Sequence, residues 1–278
     1  MDYHLKFGIL LSLLAGISFC AHSSKLGSHK YITKAYFDKH NTIIDQSFQD
    51  FIATNLPHGS CKIIQPNHNY FPNLSLLERK LTGEGSHRRL ISSIKIKNHQ
   101  EMSSLSCEAI IIERLPSGVF ADPFELQHLT QRGVFGDASA FGDTDLELPT
   151  VRANRSVVEI HMDLSPKNNR ELKIELPLHA RYAPLGEIGG YKRIEFGSPD
   201  LFVRCNNERG PRNDSCIYSS TNEYGDEFRA SILWEVPSGI VEHTKVVSML
   251  TFISAIVSAF SISIACIIYY SNNTFKQS

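Results

Sequence analysis

Two uninterrupted apolar runs bracket a long middle region of this 278-residue chain in which apolar and polar positions alternate. The first run, residues 7–19, holds 13 residues after Lys6 and is followed by the small residue Cys20. It is too short to cross a bilayer comfortably and has the form of a signal-peptide core, so residues 1–20 are expected to be a signal peptide. The second run, residues 246–270, has 25 residues with neither charge nor proline. At about 1.5 Å per residue it can cross a hydrocarbon core of about 30 Å with some tilt. The expected organisation is a signal peptide (1–20), a luminal domain (21–245), a transmembrane helix (246–270) and a cytosolic tail (271–278). The signal peptide sets a single-pass, type I orientation with the N-terminal domain in the lumen.

Between these runs the dominant period is two. Val158, Ile160, Met162 and Leu164 alternate with Glu159, His161 and Asp163. Leu172, Ile174, Leu176 and Leu178 repeat the pattern, as do Phe228, Ala230, Ile232, Trp234 and Val236. Such segments, bounded by Pro, Gly and Asn, predict half-buried antiparallel strands. Further strands are expected at Ile91–Ile96, Ser106–Glu113 and Leu201–Cys205, and the run Ile110-Ile111-Ile112 suggests a strand covered on both faces. Residues 123–132 predict a short helix with Asp122 as N-cap and Pro123 at its first position. Residues 35–55 are compatible with a helix or with two strands, and the Gly- and Asp-rich residues 133–149 read as an exposed loop. The predicted fold class is mostly β: a luminal, sandwich-like domain tethered through residues 237–244 to a single C-terminal transmembrane helix.

Composition adds compartment and excludes some partners. With 28 Lys and Arg against 29 Asp and Glu, the formal charge is −1, and no basic cluster argues for a nucleic-acid partner. Cys20 belongs to the signal peptide and Cys266 to the membrane helix, leaving Cys61, Cys107, Cys205 and Cys216 in the lumen. Four cysteines in an oxidising compartment suggest two disulfides, with three possible connectivities. The short polar loop between Cys205 and Cys216 favours that pair, with Cys61–Cys107 as the remainder. Asn73, Asn154 and Asn213 each begin an N-x-S sequon, expected to mark exposed loops.

No catalytic set assembles from the sequence. Asp143-Thr144-Asp145 matches the D-x-D that can hold a divalent cation, but it lies in an acidic, Gly-rich loop without a βαβ pattern and reads as solvated loop. His161 and His179 read as surface or hydrogen-bonded core residues. There is no G-x-S-x-G elbow and no H-E-x-x-H metal motif, so no catalytic residue, cofactor or metal is expected. In the membrane run, Ser254, Ser258, Ala255 and Ala259 place small side chains along one stripe, a pattern that permits close approach of another membrane helix.

The segment Leu115-Pro-Ser-Gly-Val-Phe-Ala-Asp-Pro-Phe-Glu125 resembles a "LPSGVYxDPYE" signature of the PIG-X family. Leu176-Pro-Leu-His-Ala-Arg-Tyr182 is similar to its "LPLHxRY" strand. Residues 199–205 are similar to its "PDLxLRC", and Trp234–Gly239 resembles the end of its luminal domain. These motifs follow one another in order over residues 105–270. The resemblance implies a non-catalytic, stabilising subunit of the endoplasmic-reticulum mannosyltransferase I that adds the first mannose in GPI-anchor biosynthesis. It also implies a multispanning catalytic partner of the PIG-M type. Within the motifs Pro116, Gly118 and Pro123 read as backbone-shaping residues, and Tyr182 and Trp234 as core. The alternative is an independent cell-surface adhesion or lectin-like glycoprotein of the same topology.

Overall fold

The computed structural model describes residues 30–56, 73–97, 106–164, 171–186, 189–206, 215–219 and 232–275. The signal peptide, Cys61, Asn213 and the N-terminal part of the 228–236 pattern lie outside these residues. The elements in order are α1 (Ile32–Phe37), α2 (Asp45–Asn55), β1 (Asn73–Glu84), β2 (His87–Lys97), β3 (Ser106–Arg114) and β4 (Val119–Phe120). Then come α3 (Pro123–Gln131), β5 (Asp137–Gly142), β6 (Ser156–Asp163), β7 (Glu171–Ala180), β8 (Tyr191–Phe196) and β9 (Asp200–Asn206). The chain continues through β10 (Ser215–Ser219), β11 (Ile232–Pro237), a 3-10 turn (Val241–His243) and α4 (Thr244–Phe275).

The strands form a four-stranded sheet, β1-β2-β7-β4, a five-stranded sheet, β10-β9-β3-β6-β5, and a β8–β11 pair, each with antiparallel neighbours. The main core fills the space between them. Leu90, Ile174 and Leu178 of the four-stranded sheet meet Ile111, Val158 and Ile160 of the five-stranded sheet, and Ile194 and Trp234 join from the β8–β11 pair. Alternation explains this side: along β7, Leu172, Ile174, Leu176 and Leu178 are buried as the period-two pattern requires.

The outer face of the five-stranded sheet is covered too. Ile110, Ile112, Val157 and Phe202 form a second core with Ile32, Tyr36, Phe48 and Ile52 of α1 and α2. Residues 35–55 therefore resolve as two helices. The run Ile110–Ile112 is buried on both faces of β3, as its continuous hydrophobicity predicts. The domain is mostly β, as expected, with a helical layer added to the sandwich.

Three expectations change. The 133–149 segment is not simply a loop, because Asp137–Gly142 pairs with β6 as an edge strand. The core-facing Ala138 and Ala140 are too small to give a strong period-two signal between Asp137, Ser139 and Gly142. Asn73 is the first residue of β1 rather than part of a loop, opposite Lys97, whereas Asn154 is exposed in the loop before β6.

The third change concerns the disulfide. Cys205 is bonded to Cys107, their Cα atoms 4.1 Å apart and 98 positions separated in sequence, so neither Cys205–Cys216 nor Cys61–Cys107 is the pairing. β9 lies between β3 and β10, which places Cys205 opposite Cys107 on one side and Cys216 on the other. Proximity along the chain identified only the nearer neighbour. Non-reducing peptide mapping should recover Cys107 cross-linked to Cys205. Cys107→Ser should lower stability by roughly 2–5 kcal/mol, the usual cost of deleting a native bridge, and an unchanged melting transition would refute the assignment.

Candidate functional site

The segment 115–126 forms a compact corner against the end of β7. Leu115 is buried and its N–H donates to the Ser156 carbonyl at 3.0 Å. The chain then turns, with the Val119 N–H donating to the Pro116 carbonyl at 3.2 Å. Gly118 sits at φ +87°, where a side chain is strained, and an added Cβ would meet the Thr150 side chain at 3.1 Å. β4 then pairs with the end of β7, Val119 opposite Ala180 and Phe120 opposite His179. Asp122 caps α3 by accepting the Phe124 N–H at 2.8 Å, with Pro123 at the first position, as predicted. Glu125 on α3 reaches back to His179 Nε2 at 3.0 Å, and Phe120 stacks on the His179 ring.

Arg181, directly after β7, organises this corner. Its N–H donates to the Gly118 carbonyl at 2.8 Å, and its guanidinium lies 4.6 Å from the Phe120 ring centroid. The buried guanidinium donates to the carbonyls of Leu148 at 3.0 Å and Asp143 at 3.3 Å, and also to that of Asp145. The 143–150 loop is thus wrapped around one fixed cation. The loop's own acids satisfy its backbone. Asp143 accepts the N–H groups of Asp145 and Asn154 at 3.1 and 2.8 Å, and Asp145 accepts that of Glu147 at 3.0 Å. The two bonds to the residue two positions on are Asx-type turn bonds and the Asn154 bond closes the loop, so both D-x-D carboxylates hold its shape.

His161 occupies a second cluster, enclosed where the sequence leaves surface or hydrogen-bonded core open. Its Nδ1 lies 3.0 Å from Glu108 Oε2 and its Nε2 3.0 Å from Glu159 Oε1. An imidazole can donate to both carboxylates only as the cation. Burial alone would lower its pKa, but the hydrogen bonds to Glu108 and Glu159 outweigh that and raise it above the ordinary 6.5. Glu159 also accepts the N–H groups of Ile32 and Thr33 at 2.9 and 2.7 Å, fixing the start of α1. Tyr31 donates to Asp137 at 2.6 Å and sets its ring edge-on to His161, while Arg204 donates to the Lys30 carbonyl at 2.8 Å. An open cleft of about 410 Å³ runs beside these groups. With both ring nitrogens engaged by carboxylates, His161 has no site left for a substrate's proton. The cluster is a latch for the N-terminal segment.

The motif residues divide between core and surface. Trp234 is fully buried, its Nε1 donating to the Gly85 carbonyl at 3.2 Å. Tyr182, by contrast, is 87 % exposed, because the chain leaves β7 at Ala180 and strand alternation no longer governs its direction. Phe124 is likewise exposed on the first turn of α3. Ser254, Ala255, Ser258 and Ala259 lie on α4, whose residues 244–270 are exposed throughout. α4 is long and apolar enough to span a membrane. Among the described residues no group of three or more His, Cys, Asp or Glu is arranged to hold a metal ion. Glu108, Glu159 and Arg181 were not singled out in the sequence. The usable signal for the two glutamates was the doubly covered β3, since its neighbour β6 would then bury Glu159 and His161 as well.

The family model described as PIG-X / PBN1 matches residues 83–268. Relatives named "GPI alpha-1,4-mannosyltransferase I, stabilizing subunit" include a Homo sapiens protein, 25 % identical over 210 residues, covering 70 % of this chain and 80 % of the relative. A Rattus norvegicus protein of that name is 28 % identical over 134 residues, 48 % of this chain and 52 % of its own. The corresponding Mus musculus protein is 24 % identical over 210 residues, 70 % of this chain and 82 % of its own. A collagen-binding domain from a Staphylococcus aureus adhesin aligns with a TM-score of 0.21 at 11 % identity, covering 52 % of this chain and 97 % of that domain. That likeness carries no argument.

Two outcomes follow from the clusters. Replacing Arg181 with Met should free the 143–155 segment, seen as faster amide exchange there, at a cost of roughly 3–5 kcal/mol for losing one partner of a buried charged network. Protection confined to its wild-type level would contradict the assigned role. For His161, a raised folded pKa contributes stability that is complete below the unfolded value and lost as pH rises through the folded one. Exchange at Ile32 and Thr33, corrected for its intrinsic pH dependence, should therefore accelerate on the alkaline side of 6.5, and His161→Gln should abolish that dependence.

Proposed function

The chain belongs to the PIG-X / PBN1 family, and on that premise we propose that it is a non-catalytic, stabilising subunit of GPI mannosyltransferase I. The observation that carries the reading is the family match over residues 83–268, which takes in most of the β domain and nearly all of the apolar helix. The relatives' shared name supports the same role. In this reading the chain is a single-pass protein of the endoplasmic reticulum membrane, its β domain luminal, and its partner is a multispanning mannosyltransferase of the PIG-M type. Asn73, Asn154 and Asn213 are the candidate glycan acceptors, and Cys61 and Cys216 are left for a second bridge.

A stabilising subunit acts by binding the folded partner and not the unfolded one. At a concentration 100-fold above its dissociation constant, such a ligand adds about 2.7 kcal/mol to the partner's stability. The polar clusters described above are consistent with a scaffold, since the carboxylates of the D-x-D loop and both nitrogens of His161 are already engaged within the chain. The exposed helix offers contact within the bilayer through Ser254, Ala255, Ser258 and Ala259. The Ser254 hydroxyl donates to the Thr251 carbonyl of its own helix at 2.8 Å, which leaves a small surface suited to close packing.

The test is rescue of cells lacking this protein, with partner abundance and surface GPI-anchored proteins both measured. Loss of the chain should lower the amount of the mannosyltransferase. Asp143→Asn combined with Asp145→Asn keeps amide oxygens that can accept the loop N–H groups while removing both charges, and it should rescue fully. Ser254→Leu with Ser258→Leu should lower partner abundance. Failure of the double Asn variant at normal partner abundance would return a direct catalytic role.

A further inference from the structure

The segment leading into α4 is not a free tether. Pro237 ends β11 opposite Tyr191 at the start of β8, and the Ser238 N–H donates to the Gly190 carbonyl at 2.7 Å. The Gly186 N–H donates to the Gly239 carbonyl at 2.9 Å, and the Val241 N–H to the Gly186 carbonyl at 3.1 Å, forming a parallel bridge between Gly186 and Ile240. Leu185 packs so closely on Gly239 that an added Cβ would lie 2.5 Å from its Cδ2. The helix begins at Thr244, three residues beyond Val241. The loop after β7 is therefore stapled to the last luminal residues before the helix.

The loop and strand this staple holds carry apolar side chains that are exposed among the described residues. Tyr182 is 87 % exposed, Tyr191 63 % and Leu185 50 %, and Val241 is exposed too. The bilayer's headgroup layer is about 5–8 Å thick on each side, and the five residues from Val241 to Val246, where the uncharged run begins, rise about 8 Å. A loop bonded to Gly239 and Val241 thus stands at the depth of that layer whenever α4 crosses the membrane. Tyrosine, with an apolar ring and a polar tip, is the residue type that settles there.

We propose that Tyr182, Leu185 and Tyr191 form a lipid-facing sill that rests in the luminal headgroup layer of the bilayer spanned by α4, holding the β domain against the membrane at one fixed tilt. The inference rests on α4 being a membrane anchor. Its occupant is the lipid surface, because the patch is continuous through backbone hydrogen bonds with the entry of the span.

The full chain, reconstituted without any partner into phosphatidylcholine vesicles, tests this by tryptophan substitution. Trp234 is the sole native tryptophan and is fully buried, so it supplies a constant background. Tyr182→Trp, Leu185→Trp and Tyr191→Trp should each gain emission that is blue-shifted by vesicles and quenched when the lipid is brominated near the headgroup. Lys173→Trp is the control, exposed on β7 seven residues before Ala180 and so about 23 Å away along the strand, and it should show neither effect. Melting transitions identify the folded variants, and three independent positions guard against the loss of one. Flotation with the vesicles reports the anchor separately; failure to float overturns anchoring and the sill together. Floating protein whose three sill positions are quenched no more than Lys173→Trp overturns the sill alone. So does shielding of those positions only after the mannosyltransferase is added, which would make the surface a protein interface.

Discussion

The burial of β3 on both faces is the constraint from which the rest of the domain follows. Where a strand lies between two apolar layers, a polar group it buries needs a partner inside the protein. Glu113, near its end, receives two hydrogen bonds from Arg79 of β1, at 2.9 and 2.7 Å, which ties the two sheets together across the core. Glu108 meets His161 and Arg204, and Cys107 is bonded to Cys205. The helical layer that encloses β3 is in turn fixed through Glu159 on the neighbouring strand.

The same logic separates residues that look like chemistry from residues that perform it. An acidic pair two positions apart, or a histidine beside two glutamates, has the composition of an active site. Here both aspartates accept backbone N–H groups of their own loop, and both nitrogens of the histidine meet carboxylates. Arg181 gathers three carbonyls of one loop, and His161 bridges strands to the N-terminal helix. Exposed apolar side chains lie instead at Tyr182, Leu185 and Phe124 and along residues 246–270 of α4. A surface of that kind suits association with lipid and protein.

What was legible in the sequence followed from local rules. Alternation located β6, β7 and the described part of β11, continuous hydrophobicity identified β3 as doubly buried, and the Asp122-Pro123 pair marked the start of α3. What was not legible depended on which strand lies beside which. Strand order is what brings Cys107 beside Cys205 across 98 positions of sequence, and no spacing rule encodes that. Tyr182 was misplaced for a related reason: a motif that begins in a strand continues past its end, where the alternation no longer holds. Asp137–Gly142 forms a strand because β6 offers an edge, despite side chains of low strand propensity.

The N-terminal latch also sets an order of events during synthesis. Ile32 and Thr33 bond to a carboxylate 127 and 126 positions later, and the Lys30 carbonyl to an arginine 174 positions later. At typical elongation rates of 5–20 residues per second, roughly 6–35 s separate the appearance of the first described helix from that of its docking partners. Throughout that interval Ile32, Tyr36, Phe48 and Ile52 have no core to enter. The earliest-made described part of this domain is therefore among the last to be buried, and it is a natural client for chaperones while the strands it will cover are still being translated.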